Sequence, residues 1–226
     1  MKFTMRYGVD APFWVAFLII VGLIFTLANV FGVAINVYGL SYGLICLLIG
    51  LWMFIYSTMI KIKQRDVILN LAEAKSGDEL LDIGTGRGLL AISAAQRGCQ
   101  VTASDVWSQW DLGGNGKSKL QANMVAENVA EIDIVDADVR DLPFSDGSFD
   151  VVVSKFVVHN IKSVEGRKKA ILEMWRVLRP NGRLVIADFS KTTEYIELLN
   201  SVSNDVEIKR YFYTFPFSKA VVAQKI

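Results

Sequence analysis

The sequence predicts an α/β fold, a doubly wound and mainly parallel sheet, preceded by a pair of membrane-spanning helices. Three observations carry that expectation. A short apolar run, Leu80-Leu81-Asp82-Ile83, passes into a glycine-rich loop, Gly84-Thr85-Gly86-Arg87-Gly88, and at once into a helical pattern at Leu89, Leu90, Ile92 and Ala95. That is a buried strand, a tight turn and a helix. Strand-like runs and helical patterns then alternate towards the C-terminus. Ahead of them, Ala11 through Ile60 contains no charged residue.

One span needs roughly 20 apolar residues, so the uncharged tract holds two. They are expected near Phe13–Ala34 and Ser41–Ile60, with Asp10 as N-cap and Pro12 in the first turn. Asn36, Tyr38, Gly39, Ser41, Tyr42 and Gly43 would make a polar-aromatic turn at interfacial depth. A signal peptide is disfavoured, because the first run is too long and no small-residue cleavage site follows it. Lys2 and Arg6 precede the first span, while Lys61, Lys63 and Arg65 follow the second. The positive-inside rule then puts both ends in the cytoplasm. The expected division is residues 1–62 for tail and spans and residues 63–226 for a cytoplasmic domain.

Composition narrows the classes further. The chain is 52% hydrophobic with a mean hydropathy of +0.35, and the excess lies near the N-terminus. Formal net charge is +1, and the part after the spans is balanced in acids and bases. A neutral domain without a basic stripe is poorly suited to tracking a phosphate backbone, so no nucleic-acid partner is expected. Cys46 and Cys99 offer neither a disulfide framework nor metal-ligand spacing.

In order, Gln64–Lys75 reads as an amphipathic connecting helix, and Glu79–Ile83 as the first strand. A helix runs to about Arg97, capped by Gly98. Cys99–Ala103 forms a strand ending at Ser104-Asp105, a helix lies within Lys117–Val129, and Glu131–Asp136 and Asp150–Ser154 are strands. Val151-Val152-Val153 suits a strand covered on both faces. Arg167–Val177 is helical, Pro180-Asn181-Gly182 turns into the strand Arg183–Asp188, and a short helix near Glu194–Asn200 precedes strands at Val206–Thr214 and Lys219–Gln224.

Three nucleotide ligands compete for such a loop. A phosphate-binding loop needs Lys-Ser/Thr after its glycines, where this chain has Leu89-Leu90. A dinucleotide fingerprint wants a small residue at Leu89, so a dehydrogenase is a distant alternative. S-adenosylmethionine (SAM) carries no phosphate; it needs backbone contact and acidic partners.

The run Asp82–Gly88 resembles the first motif of class I SAM-dependent methyltransferases, and four more segments resemble that family in order. They are Asp105 at the end of strand two, Asp136–Phe144, Ser145–Asp150, and the helix-turn-strand Leu172–Leu184. The resemblance extends over Gln64–Ile226, and the whole chain is similar to small methyltransferases bearing an N-terminal transmembrane pair. It implies a Rossmann-like seven-stranded methyltransferase sheet. It also implies SAM as cofactor, bound by Asp82, Gly84, Thr85, Gly86, Gly88, Asp105, Val106, Asp138, Val139 and Ser154. In the family an acid at Asp105 takes the ribose hydroxyls and one at Asp138 the adenine amino group; Asp136 and Asp141 are neighbouring rivals for the second role. Asp82 admits two roles, adding negative charge near the amino and sulfonium end or capping the loop's amides.

A sulfonium methyl is already activated, so a base is required only for a protonated acceptor. His159, the one histidine, follows strand four at the ligand-binding edge and is the candidate base; local packing is its alternative. Asn160 and Lys155 share that edge. Trp107 and Trp110, with the segment Asp111–Gly116, would stack on a ligand or anchor a loop. No Asn/Asp-Pro-Pro-Tyr/Phe follows strand four, disfavouring base methylation of nucleic acids, and no cysteine trio supports arsenic methylation. The spans suggest a small, apolar acceptor, a lipid-like molecule among the candidates, in or near the bilayer. The alternative is a SAM-binding membrane scaffold or sensor without turnover.

Overall fold

The computed structural model describes residues 5–33, 37–107 and 116–226. Lys2, Ala34, Asn36, Trp110 and residues 111–115, named above, lie outside the described residues. Contacts divide the chain into two compact units, one ending at Lys61 and the other beginning at Ile62.

The first unit is a helical hairpin of α1 (Pro12–Val30) and α2 (Val37–Ile55), the latter followed by a π-helical turn over Tyr56–Ile60. Each helix has 19 residues, about 28 Å of rise, and both are long and apolar enough to cross a membrane. Phe13, Ile24, Val30 and Leu48 stand on their outer surfaces, a waterless face in composition. Close approach between the helices depends on glycine. A Cβ at Gly22 would lie 2.7 Å from the Leu47 nitrogen, and one at Gly43 would lie 2.9 Å from that of Thr26.

Two expectations are corrected here. Asp10 does not cap α1, whose N-cap is Ala11 with no side-chain hydrogen bond. Its carboxylate instead pairs with Lys61 at 2.8 Å, and the Lys61 ammonium also donates to the carbonyls of Tyr7 and Gly8. A nearly buried ammonium needs several acceptors, and it outbids a local cap. The interfacial turn expected at Asn36–Gly43 is instead helix from Val37 onward. Ser41 satisfies its hydroxyl on the Val37 carbonyl, so its polarity does not break the helix.

The second unit contains a seven-stranded sheet in the order β3-β2-β1-β4-β5-β7-β6. The strands are β1 (Glu79–Ile83), β2 (Gln100–Asp105), β3 (Asp133–Asp136), β4 (Phe149–Lys155), β5 (Leu178–Asp188), β6 (Val206–Tyr211) and β7 (Ser218–Gln224). The first five are parallel, and β7 is antiparallel to both its neighbours. The helices are α3 (Lys61–Leu71), α4 (Leu89–Gln96), α5 (Lys117–Ala126), α6 (Val164–Val177) and α7 (Thr192–Asn200). Leu81, Ile83, Val152, Leu184 and Ile186 from the central strands meet Ile171 and Met174 of α6 and Tyr195 of α7, all fully buried. Each such aliphatic side chain contributes about 1.5–3 kcal/mol of burial.

Helix α6 starts three residues earlier than its apolar pattern indicates, because the Ser163 hydroxyl caps it by accepting from the Gly166 amide at 3.0 Å. Strand β5 likewise starts early. Leu178 already pairs with Phe149, and Pro180-Asn181-Gly182 bulges within the strand where β4 advances only two residues. The ends of β1–β6 and the start of β7 share one edge, and the topological switch point falls between β1 and β4.

Candidate functional site

At the switch point, β1 delivers the chain into the glycine loop. The Gly84 and Thr85 amides both donate to the Ser104 carbonyl at the end of β2, at 2.8 and 3.1 Å. Gly84 has φ +66°, and a Cβ there would stand 2.2 Å from a methyl of Val157, so no other residue fits. Gly88, at φ +82°, opens α4 against Leu120 in the same way.

Asp82 is 2% exposed, and its Oδ2 accepts from the Thr85 hydroxyl at 2.8 Å and the Ala91 amide at 3.0 Å. The side chain thus ties the loop to the first turn of α4, the capping role among its two. Burial pushes its carboxyl up to about 7; the hydrogen bonds from Thr85 and Ala91 oppose that rise, and the nearby Asp105 charge adds to it. An unfolded carboxyl titrates near 4. Between those values the native chain keeps a proton that the unfolded chain releases, so stability falls as pH rises. The contribution is complete below about pH 4 and lost above about pH 7, on the order of 4 kcal/mol in all. Thermal unfolding of the whole chain from pH 5 to 8 should therefore show a decline that Asp82→Asn flattens. Equal declines in both proteins would refute the assignment.

Asp105 closes the loop from the β2 side. Its Oδ2 accepts from the Gly86 amide at 2.8 Å, and its Oδ1 from the Trp107 amide at 2.9 Å. A carboxylate has about four acceptor positions, so both oxygens can still take hydroxyl donors. Val106 is exposed beside it, and Trp107 has φ +50°, an uncommon backbone for a non-glycine residue. Asp136 lies in register with Asp105 but receives the Lys117 ammonium at 2.7 Å, which holds its carboxyl below the usual range. Asp138 is gripped by the Arg140 guanidinium, which likewise lowers its carboxyl, and by the Arg140 amide at 2.9 Å. A ligand amino group at Asp138 must therefore share that carboxylate with Arg140. Val139 turns its side chain into the core, so any ligand contact there runs through its backbone. An open cleft of about 420 Å³ beside Asp138, flanked by Arg140, Glu165 and Lys169, is highly charged and does not include the glycine loop.

The third part of the site lies at the ends of β4 and β5. The Ser154 hydroxyl is fully buried and has no hydrogen-bond partner among the described residues. His159 sits on a short 3-10 turn, Val158–Asn160, with Nδ1 2.7 Å from Oδ1 of Asp188, an ion-pair approach without hydrogen-bond alignment. Asp188 is fully buried at the end of β5 and accepts from the amides of His159 (3.1 Å) and Phe189 (2.8 Å) and from the Tyr195 hydroxyl (3.2 Å). Burial, with Asp188 second, keeps that tyrosine protonated and donating. The Phe189 ring lies 4.3 Å from the imidazole and 5.6 Å from Phe156, and the Lys155 ammonium stands 3.9 Å from the Phe156 ring centre. The Asn160 side-chain amide donates to the Phe156 carbonyl at 3.3 Å. Asp188, Phe189 and Tyr195 were missed from the sequence. The signal was there: an acid ending a buried strand, the same feature that singles out Asp105.

Residues fit for SAM are thus in place. The orphaned Ser154 hydroxyl, the backbone cradle at Gly84 and the spare acceptors of Asp105 match ribose hydroxyls and an amino-acid ammonium better than a phosphate.

Comparison with known proteins finds a partial match to a family. Residues 81–186 match the family described as a methyltransferase domain. A ubiquinone/menaquinone biosynthesis C-methyltransferase of Francisella tularensis subsp. novicida is 33% identical over 153 residues, which cover 66% of this chain and 56% of that protein. The chain spans about half the length of the curated relatives it matches. A SAM-dependent methyltransferase from Methanosarcina mazei superposes with a TM-score of 0.60 at 18% identity, covering 71% of this chain and 97% of that one. The (4+2)-cyclase SpnF superposes with a TM-score of 0.61 at 16% identity, covering 73% and 81%. At such identities the likeness establishes the fold alone, and a cyclase on the same fold shows that the fold does not dictate the reaction.

Proposed function

We propose that the chain carries a class I SAM-dependent methyltransferase domain and acts as a membrane-anchored enzyme that methylates a small apolar acceptor of quinol-like chemistry, a reading the match over residues 81–186 supports. The observation that carries the reading is His159, set against buried Asp188 and flanked by Phe189, beside the loop that would hold the cofactor. Bound SAM supplies an activated methyl group. The rest falls to side chains of this chain. Asp105 takes the ribose hydroxyls, the loop amides and Ser154 line the cofactor, and Asp138 takes the adenine amino group once Arg140 yields part of its carboxylate.

His159 presents Nε2 to the acceptor because Nδ1 faces Asp188. It removes the proton that an acidic ring hydroxyl or ring carbon must lose as the new C–C or C–O bond forms. The Asp188 carboxylate balances the positive charge that the imidazole then acquires. Phe156 and Phe189 suit a flat, apolar ring, and the Francisella relative's name supplies the acceptor class. The two long apolar helices support anchoring where such an acceptor partitions, and the basic residues flanking them favour a cytoplasmic catalytic domain.

The test is incubation of the full chain with methyl-labelled SAM and a membrane extract, followed by separation of lipid, protein and nucleic acid. Label is expected in the lipid fraction. Label confined to protein or RNA would overturn the acceptor, and SAM binding with no transfer to any fraction would favour the sensor reading.

A further inference from the structure

We infer that the tip joining β6 to β7, from Tyr211 to Ser218, docks on the anionic headgroup layer of a phospholipid bilayer; the inference rests on the membrane reading above. The tip reads Tyr211-Phe212-Tyr213-Thr214-Phe215-Pro216-Phe217-Ser218. Phe212 is 72% exposed, Phe217 63% and Tyr213 40%, an aromatic density that water does not favour. These rings are held in place. Phe212 and Phe217 meet edge to face at 6.1 Å, and Tyr211 and Tyr213 at 5.5 Å. Thr214 is fully buried beneath them. Its hydroxyl lies 3.0 and 2.9 Å from the Tyr211 and Pro216 carbonyls and accepts from the Ser218 amide at 2.9 Å. The tip is thus a fixed turn that turns aromatic rings outward.

Charge at its base fits the same occupant. Arg210 and Lys219 face each other across the β6–β7 ladder, where like charges repel. Lys209 is taken by Glu207 at 2.7 Å. Asp188 lies across from Lys219 on the other side, but its oxygens are already enclosed by His159, Tyr195 and two amides. A phosphate between the two cations relieves their repulsion, while the rings above reach the acyl boundary. That is the arrangement of interfacial segments.

Continuity with the apolar tract selects the bilayer over other anionic partners. The Gln64 side-chain amide donates to the Ser218 hydroxyl at 3.1 Å, with both residues buried. Gln64 is four positions beyond Ile60, the last residue of the uncharged tract. With that tract in the bilayer, Gln64 lies roughly 6 Å of helix from its end. The base of the tip is thereby tied to a residue at the interface. The tip shares its sheet edge with Asp188 and the loop after β4, so docking would face the acceptor site towards the lipid.

The experiment uses the full chain in nanodiscs containing phosphatidylserine, with lipids carrying a headgroup-level quencher in one preparation and an acyl-chain quencher, which reads the span control, in another. A polarity-sensitive fluorophore is attached at Phe212→Cys, with Leu48→Cys on α2 as span control and Val125→Cys on α5 as water control; native Cys46 and Cys99 are buried. The expected result is a blue-shifted label at 212, quenched roughly threefold more than the label at 125, and a loss of that quenching in R210E/K219E. Quenching at 48 but not at 212 would overturn the inference and leave anchoring standing. Quenching at neither would overturn the membrane reading with it. A blue shift at 212 without lipid quenching, lost on dilution, would mean that a second copy covers the tip through edge strand β6, and would likewise overturn it.

Discussion

His159→Ala lowers kcat by at least about a hundredfold and leaves SAM affinity within about twofold, because general-base removal costs 10²–10⁴ while the cofactor cradle is untouched. The measurement is turnover of an apolar acceptor by the full chain, with calorimetry for SAM. Asp188→Asn separates positioning from packing. Asparagine fills nearly the same volume but keeps one acceptor oxygen, for either the His159 or the Phe189 amide, while its NH₂ group meets the other donor; circular dichroism therefore accompanies the assay to check the fold. The asparagine no longer offers a negative charge 2.7 Å from Nδ1. The expected outcome is a kcat loss of roughly tenfold to a hundredfold, little change in acceptor KM, and a displaced acid limb in the pH–rate profile. A merely structural Asp188 would move stability and KM together and leave the profile in place. A near-normal rate in His159→Ala would mean that alignment of acceptor and methyl suffices.

The features legible in the sequence were those set by neighbours in the chain. Strand β1 falls where its apolar run stops, and Gly84, Gly86 and Gly88 all adopt positive φ, as alternate glycines in a strand-to-helix turn should. Val151-Val152-Val153 lies in a central strand flanked on both sides by parallel neighbours. Two of the misreadings share a different cause, a partner far along the chain. Asp10 followed by Ala11-Pro12 looks like a cap until Lys61, 51 residues on, claims it. Asp188 draws no notice as the last residue of its strand until His159, 29 residues back, is seen against it. Strand β6 was read through to Thr214, since Tyr-Phe-Tyr-Thr has high strand propensity. The Thr214 hydroxyl instead closes a turn on Tyr211 and Pro216. Asp138 was singled out by motif alone, and its Arg140 partner, two residues away, went unread because a motif names a residue without its competitor.

Asp105→Ala weakens SAM binding by roughly tenfold to a hundredfold, which is about 1.4–2.8 kcal/mol. The side chain supplies two things at once. In the free protein it satisfies the amides of Gly86 and Trp107, and in the complex its remaining lone pairs would accept ribose hydroxyls. Charge-assisted bonds of this kind are worth about 1.5–3 kcal/mol each, but water replaces part of the loss at a partly open strand end. That offset limits the expected effect to one or two decades. Asp105→Asn refines the argument. Its amide oxygen still accepts from one backbone amide, while its NH₂ group meets the other donor head-on, so affinity should fall between wild type and alanine. Calorimetry on the full chain, with circular dichroism to confirm the fold, reads both variants. Unchanged SAM affinity in the alanine variant would remove Asp105 from the cofactor site, and NADH binding in place of SAM would restore the dehydrogenase alternative that Leu89 disfavours.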